Sequence, residues 1–173
     1  MHTLITGSTE SGKTTIAKKL ANQHIKSMPV IVLTPIWENW GEGIEVYDDE
    51  DEFLARFWGL DEQKSVAIVD EGKNTAARFN TAMELTATQG RHWGWSNYYI
   101  GQGATMISPD IRGQCSQLMA FAQGTKDSDT LVQEFRAPEL ENCPDLSQGE
   151  FYLVRRFGKD GKRYCKKLNA FSM

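Results

Sequence analysis

Gly7-Ser8-Thr9-Glu10-Ser11-Gly12-Lys13-Thr14 is the stretch from which the rest of the chain can be read. It satisfies the spacing Gly-x4-Gly-Lys-Ser/Thr in full. The two glycines let the backbone wrap a compact anion, with successive N–H groups pointing inward at it. Before the loop, His2 to Thr6 reads as a strand. After it, Ile16, Ala17, Leu20, Ala21 and Ile25 make one apolar stripe, which predicts a helix from Gly12 to about Lys26. Strand, glycine loop and helix are the context a phosphate-binding loop requires, and the helix adds its positive N-terminal end. Gly7, Ser8, Thr9, Glu10, Ser11, Gly12, Lys13, Thr14 and Thr15 are therefore the candidate ATP-binding residues. Lys13 would reach the β- and γ-phosphates, and Thr14 would ligate Mg²⁺.

Two further strand ends carry polar groups suited to the same chemistry. Val66-Ala67-Ile68-Val69 is an apolar run ending in Asp70 and Glu71. Asp70 is placed to hold Mg²⁺ through water, and Glu71 to polarise an attacking water as general base. A base beside the metal suits hydrolysis, whereas a kinase must exclude water. Asn97 to Ile100 predicts another strand, followed by Gly101 and Gln102. A neutral amide there can donate to a γ-phosphate and accept from water, so Gln102 is a candidate sensor of the phosphate.

The other elements alternate. Val30 to Thr34 reads as a buried strand between Pro29 and Pro35, and Asp51 to Gly59 as a short helix. A helix is predicted from Ala76 to Gln89, a strand from Leu118 to Phe121 and a helix from Asp127 to Phe135. Glu150 to Arg156 and Lys162 to Leu168 flank Gly158-Lys159-Asp160-Gly161, a hairpin signal. Alternating strands and helices imply an α/β fold with a mainly parallel central sheet between helices. Ligands of such sheets gather at the carboxyl ends of the strands, where Gly7, Asp70 and Gln102 all fall.

Composition narrows the class. At 173 residues, 40% hydrophobic and 24% charged, the chain suits one globular domain over 1–173. Cys115, Cys143 and Cys165 form no CxxC pair, which fits a reduced compartment better than a disulfide framework. Neither a signal peptide nor an intrinsic transmembrane segment is expected. The net charge of −4 is unevenly spread. Ten acidic residues against Arg56 lie between Glu38 and Glu62, and seven basic residues against Asp160 between Arg155 and Lys167. Two solvated faces account for this, as does a basic strip that meets a polyanion. Trp37 and Trp40, within the acidic loop, are candidates to stack on adenine.

One further stretch carries a resemblance. Gln89-Gly90-Arg91-His92-Trp93-Gly94-Trp95-Ser96, then Ile100-Gly101-Gln102, then Ser108-Pro109-Asp110-Ile111-Arg112 resembles the FtsK–HerA branch of P-loop motor ATPases. The small size is similar to that of the genome-packaging ATPases of tailless, membrane-containing icosahedral viruses. The resemblance covers about Leu4 to Gln123. It implies a RecA/ASCE-like P-loop NTPase, with the C-terminal basic β-hairpin (about 150–168) appended to it. It also implies a homo-oligomeric ring, usually a hexamer, that hydrolyses ATP at subunit interfaces and translocates or packages double-stranded DNA into a capsid. Capsid vertex or portal proteins would be its partners, and the host cytoplasm and packaging vertex its location. An arginine from the neighbour would neutralise transition-state charge, and Arg91 and Arg112 are the candidates on the view that both border the nucleotide edge. For DNA contact there are two options: Lys73 and Arg78, or the hairpin residues Arg155, Arg156, Lys159, Lys162 and Arg163, with a solvated edge strand as the plainer reading of the hairpin. Two alternatives stand beside this reading. A Zot-like phage assembly or secretion ATPase normally carries a membrane segment; a small-molecule or nucleotide kinase needs an arginine-rich lid, which is not apparent.

Overall fold

Alternation decides which side of the sheet each strand residue faces. β1 (His2–Thr6) is buried along its whole length, with Leu4 in one core and Ile5 in the other. A strand covered on both faces needs a near-continuous apolar run, and β2 (Val30–Leu33) and β4 (Val66–Asp70) are built the same way. The computed structural model describes residues 1–36, 38–70, 81–158 and 160–172.

Five more strands complete the sheet: β3 (Glu45–Tyr47), β5 (Tyr98–Gly101), β6 (Cys115–Phe121), β7 (Glu150–Arg155) and β8 (Tyr164–Asn169). Their order is β3-β2-β4-β5-β1-β6-β7-β8. The first six run parallel, and β7 and β8 add an antiparallel hairpin at one side. The expected α/β architecture with a C-terminal hairpin is what forms. β3 was not foreseen: it is three half-buried residues inside an acidic loop, paired in parallel with β2. β6 also starts at Cys115, three residues before the predicted Leu118.

Helices cover both faces. α1 (Lys13–His24) packs Ile16, Ala17 and Ala21 on one face, with Trp40 beside them. The other face takes α2 (Glu50–Leu60), α3 (Thr81–His92), α4 (Pro109–Gln114) and α5 (Thr125–Phe135). Each fully buried Leu, Ile or Phe contributes roughly 1.5–3 kcal/mol, so these two layers, and not the surface ion pairs, fix the sheet. Part of the acidic stretch is explained locally. Asp49 caps α2, accepting from the Glu52 N–H at 2.9 Å, and Glu50, Asp51 and Glu52 occupy its first turn. Carboxylates there complement the positive end of the helix. The predicted start of α3 at Ala76 lies outside the described residues; its end runs past Gln89 to His92. Among the described residues no helix is long and apolar enough to cross a membrane.

Candidate active site

The loop between β1 and α1 is clamped from both sides. Its Ser8 N–H donates to the Ala122 carbonyl at 2.7 Å, just past β6. The Gly149 N–H, just before β7, donates to the Ser11 carbonyl at 2.9 Å. A Cβ at Gly7 would stand 2.6 Å from the Phe121 Cβ, so only glycine lets the loop approach β6 this closely. Gly12 has φ +109°, a left-handed conformation that side chains disfavour. Glu10 adopts φ +63° without being glycine, and the Gln148 side-chain amide donates to its carbonyl at 3.0 Å. Such a conformation persists only where neighbours over-determine it, and here they do.

Lys13 is 8% exposed, with its ammonium donating to the Ser8 carbonyl at 2.6 Å. Burial lowers its pKa, and the nearby Asp70 carboxylate pulls it back up. Asp70 is the mirror case: burial pushes its pKa up to about 6, Lys13 opposes this and Glu38 adds to it. Two desolvated opposite charges thus face each other across a cavity of about 160 Å³, whose walls include Thr9, Thr14 and Gln102.

The strand order explains this convergence. β5 lies between β1 and β4, with Ile100 in register with both Ile5 and Asp70. The residue leaving β5 therefore emerges between the loop and the acidic strand end, and Gln102 is that exposed residue. A second cavity of about 410 Å³ opens on the other flank of the loop, lined by Gly12, Thr14 and Thr15 and by Gln148 and Phe171. Gln148 and Phe171 belong to no sequence motif. The hairpin brings both to the loop, with Gln148 reaching Glu10 from 138 residues away in the chain.

The remaining candidate residues divide into those outside the described residues and those placed elsewhere in the fold. Glu71, Lys73, Arg78, Lys159 and Trp37 lie outside the described residues. Arg91 does not border the nucleotide edge. It sits in the last turn of α3, beside Met1 at the amino ends of the parallel strands, because a helix joining parallel strands must travel back down the sheet. It is exposed there, donating to the Gln114 side chain at 3.2 Å. Arg112 is turned inward and 7% exposed. Its guanidinium donates twice from Nε to Glu134, at 2.9 and 3.0 Å, again from Nη2 at 2.7 Å, and to the Ala104 and Ile107 carbonyls. Freeing it would break a largely buried ion pair, at a cost on the order of 3 kcal/mol.

The hairpin arginines also turn back on their own chain. Arg155 donates to Gln117 at 2.9 Å, Arg156 to the Cys115 and Glu134 carbonyls, and Arg163 to Glu139 and the Arg136 carbonyl. Of the hairpin candidates among the described residues, Lys162 and Arg163 are exposed, whereas Arg155 and Arg156 are half-buried. Trp40 is 2% exposed, packed in the core beside α1, so it has no face for adenine.

Comparison with known proteins adds the fold. No family model and no curated protein matches the sequence. Among solved structures, the chain is similar to the genome-packaging NTPase B204 of Sulfolobus turreted icosahedral virus 2 in complex with AMPPCP. The TM-score is 0.71 at 16% identity, over 94% of this chain and 95% of that one. The chain shares its fold. VirB4 of Thermoanaerobacter pseudethanolicus superposes with a TM-score of 0.70 at 12% identity, covering 97% of this chain and 89% of that one. The type VII secretion ATPase EccC of Thermomonospora curvata gives 0.65 at 14% identity, over 97% of this chain and 24% of that one. The resemblance to FtsK–HerA-type ATPases read from the sequence thus holds at the level of fold.

Proposed function

We propose that this chain is an ATP-hydrolysing motor that moves double-stranded DNA, acting as a single P-loop domain in a ring. The observation that carries the reading is the convergence of Lys13, Thr14, Asp70 and Gln102 on one cavity at the carboxyl ends of β1, β4 and β5. The fold it shares with a viral genome-packaging NTPase supports packaging as the task.

The roles follow from chemistry. The loop N–H groups hold the phosphates, and Lys13 exchanges its bond to the Ser8 carbonyl for phosphate oxygens. Thr14 and Asp70 offer hard oxygen donors lining one cavity and would hold Mg²⁺. Bound there, the metal would supply neutralisation of phosphate charge. Glu71, next in the chain after Asp70, takes the proton of the attacking water. Gln102 contacts the γ-phosphate and that water. Arg91 is too far round the sheet to serve its own site, but a head-to-tail ring brings a different surface of each subunit against the next one's site. The exposed Arg91 on the opposite edge suits that role in this reading, and Arg112, already paired, does not.

A motor should grip phosphates without reading bases, so stimulation by DNA should be sequence-independent and weaken with salt. Phosphate release from ATP, measured with and without double-stranded DNA of two unrelated sequences, tests this. Stimulation by both at low salt, from a species with the mass of a ring, is the expected result. A monomer that DNA does not stimulate, and that passes phosphate to a small acceptor, would replace this reading with the kinase one.

A further inference from the structure

The loop explains how phosphates are held but leaves the rest of a nucleotide without a seat. We propose that Phe171 is the stacking platform for the nucleotide's base, a purine, with Gln148 along its edge; this rests on the P-loop reading above.

With the phosphates over Lys13 and Thr14, the next residue of α1, Thr15, marks the flank on which the nucleoside leaves the loop. The cavity on that flank measures about 410 Å³, within the ~300–1,000 Å³ typical of small-molecule sites. Its far wall is Phe171, which is 53% exposed although its neighbour Ala170 is fully buried. An exposed aromatic ring on an ordinary surface turn would be free to move. Here the backbone that carries the ring is fixed on several sides. The Ala170 N–H donates to the Gly149 carbonyl at 2.8 Å, the Lys19 ammonium to the Ala170 carbonyl at 2.8 Å, and the Phe171 N–H to the Asn169 side chain at 2.8 Å.

Gly149 completes the arrangement. It has φ +82°, and a Cβ there would stand 2.4 Å from the Phe171 ring. The ring therefore lies against bare backbone on one side, while the cavity borders it elsewhere. The same glycine donates to the Ser11 carbonyl of the phosphate loop, and its neighbour Gln148 donates to the Glu10 carbonyl. Platform and phosphate loop are thus tied to each other through two consecutive residues. A rigid, pre-positioned π-face loses little entropy on binding, which is what a stacking contact needs. Phenylalanine has no polar edge, so the platform should favour any purine over a bare polyphosphate and separate ATP from GTP only weakly.

The test compares dissociation constants of Mg²⁺-ATP, Mg²⁺-GTP and Mg²⁺-tripolyphosphate for wild type, Phe171→Ala and Phe171→Trp. Loss of a base–aromatic stack costs roughly 5- to 150-fold in affinity. Phe171→Ala should weaken both nucleotides by that factor and leave tripolyphosphate unchanged, and Phe171→Trp should restore nucleotide binding. Nucleotide affinity that stays within twofold in Phe171→Ala would overturn the platform. So would an equal loss for tripolyphosphate, which would make Phe171 a prop for the loop. Wild type that binds tripolyphosphate as tightly as ATP would overturn the platform alone. Wild type that binds neither would overturn the P-loop reading with it.

Discussion

Lys13→Ala should weaken ATP binding by ~10²–10⁴-fold and abolish turnover. Two charge-assisted bonds to phosphate are lost, each worth roughly 1.5–3 kcal/mol. The loss is amplified by the surroundings. Lys13 is the charge that holds the Asp70 pKa down against burial, so without it Asp70 takes up a proton more readily and is a poorer partner for Mg²⁺. The fold should survive. The carbonyl released belongs to Ser8, which is exposed and returns to water, and the loop keeps its clamps to Ala122 and Gly149. Calorimetric titration with Mg²⁺-ATP, beside a thermal melt, separates the two effects. Unchanged affinity in a folded variant would remove Lys13 from the site.

The second large effect concerns the neighbour arginine. Arg91→Ala subunits keep an intact phosphate loop but fail to complete the next subunit's site. Lys13→Ala subunits have the opposite defect, since they cannot turn over ATP but still lend Arg91. A trans-acting arginine contributes on the order of 10³–10⁵ in rate. Each variant alone should therefore lie near background, and mixed rings should recover activity well above it. Recovery follows because interfaces that pair a good loop with a good arginine reappear. Mixed rings, verified by mass, that stay at background would show that Arg91 is not that arginine. Arg112→Ala is the less informative variant: it leaves Glu134 without its guanidinium partner, so lost activity there could not be told from lost stability.

Much of this arrangement was legible from residue order, and the limits have physical causes. The loop and the strands carrying Asp70 and Gln102 were readable because buried parallel strands are written as short apolar runs with polar residues at their ends. β3 was not, since three residues held by pairing to β2 leave no periodicity to detect. Arg91 was assigned to the wrong edge because its neighbours in sequence carry a motif, while its height in the fold is set by the direction in which α3 returns. Gln148 and Phe171 had no local signal. Their position depends on a hairpin that folds β7 and β8 against β6, a long-range pairing that no short window contains. The charge of the basic hairpin was visible, but not that Arg155, Arg156 and Arg163 spend it on contacts within their own chain.

ATP bound at the Gly7–Thr14 loop should be cleaved by water beside it. The most direct measurement incubates wild type and Glu71→Gln with radiolabelled Mg²⁺-ATP, isolates the protein and asks which nucleotide it carries. Wild type should carry ADP. Glu71→Gln should carry ATP in comparable amount and release phosphate at least ~100-fold more slowly, the scale of lost general-base catalysis. Glu71→Gln that carries ADP and turns over like wild type, or a wild type that carries no nucleotide at all, would contradict it.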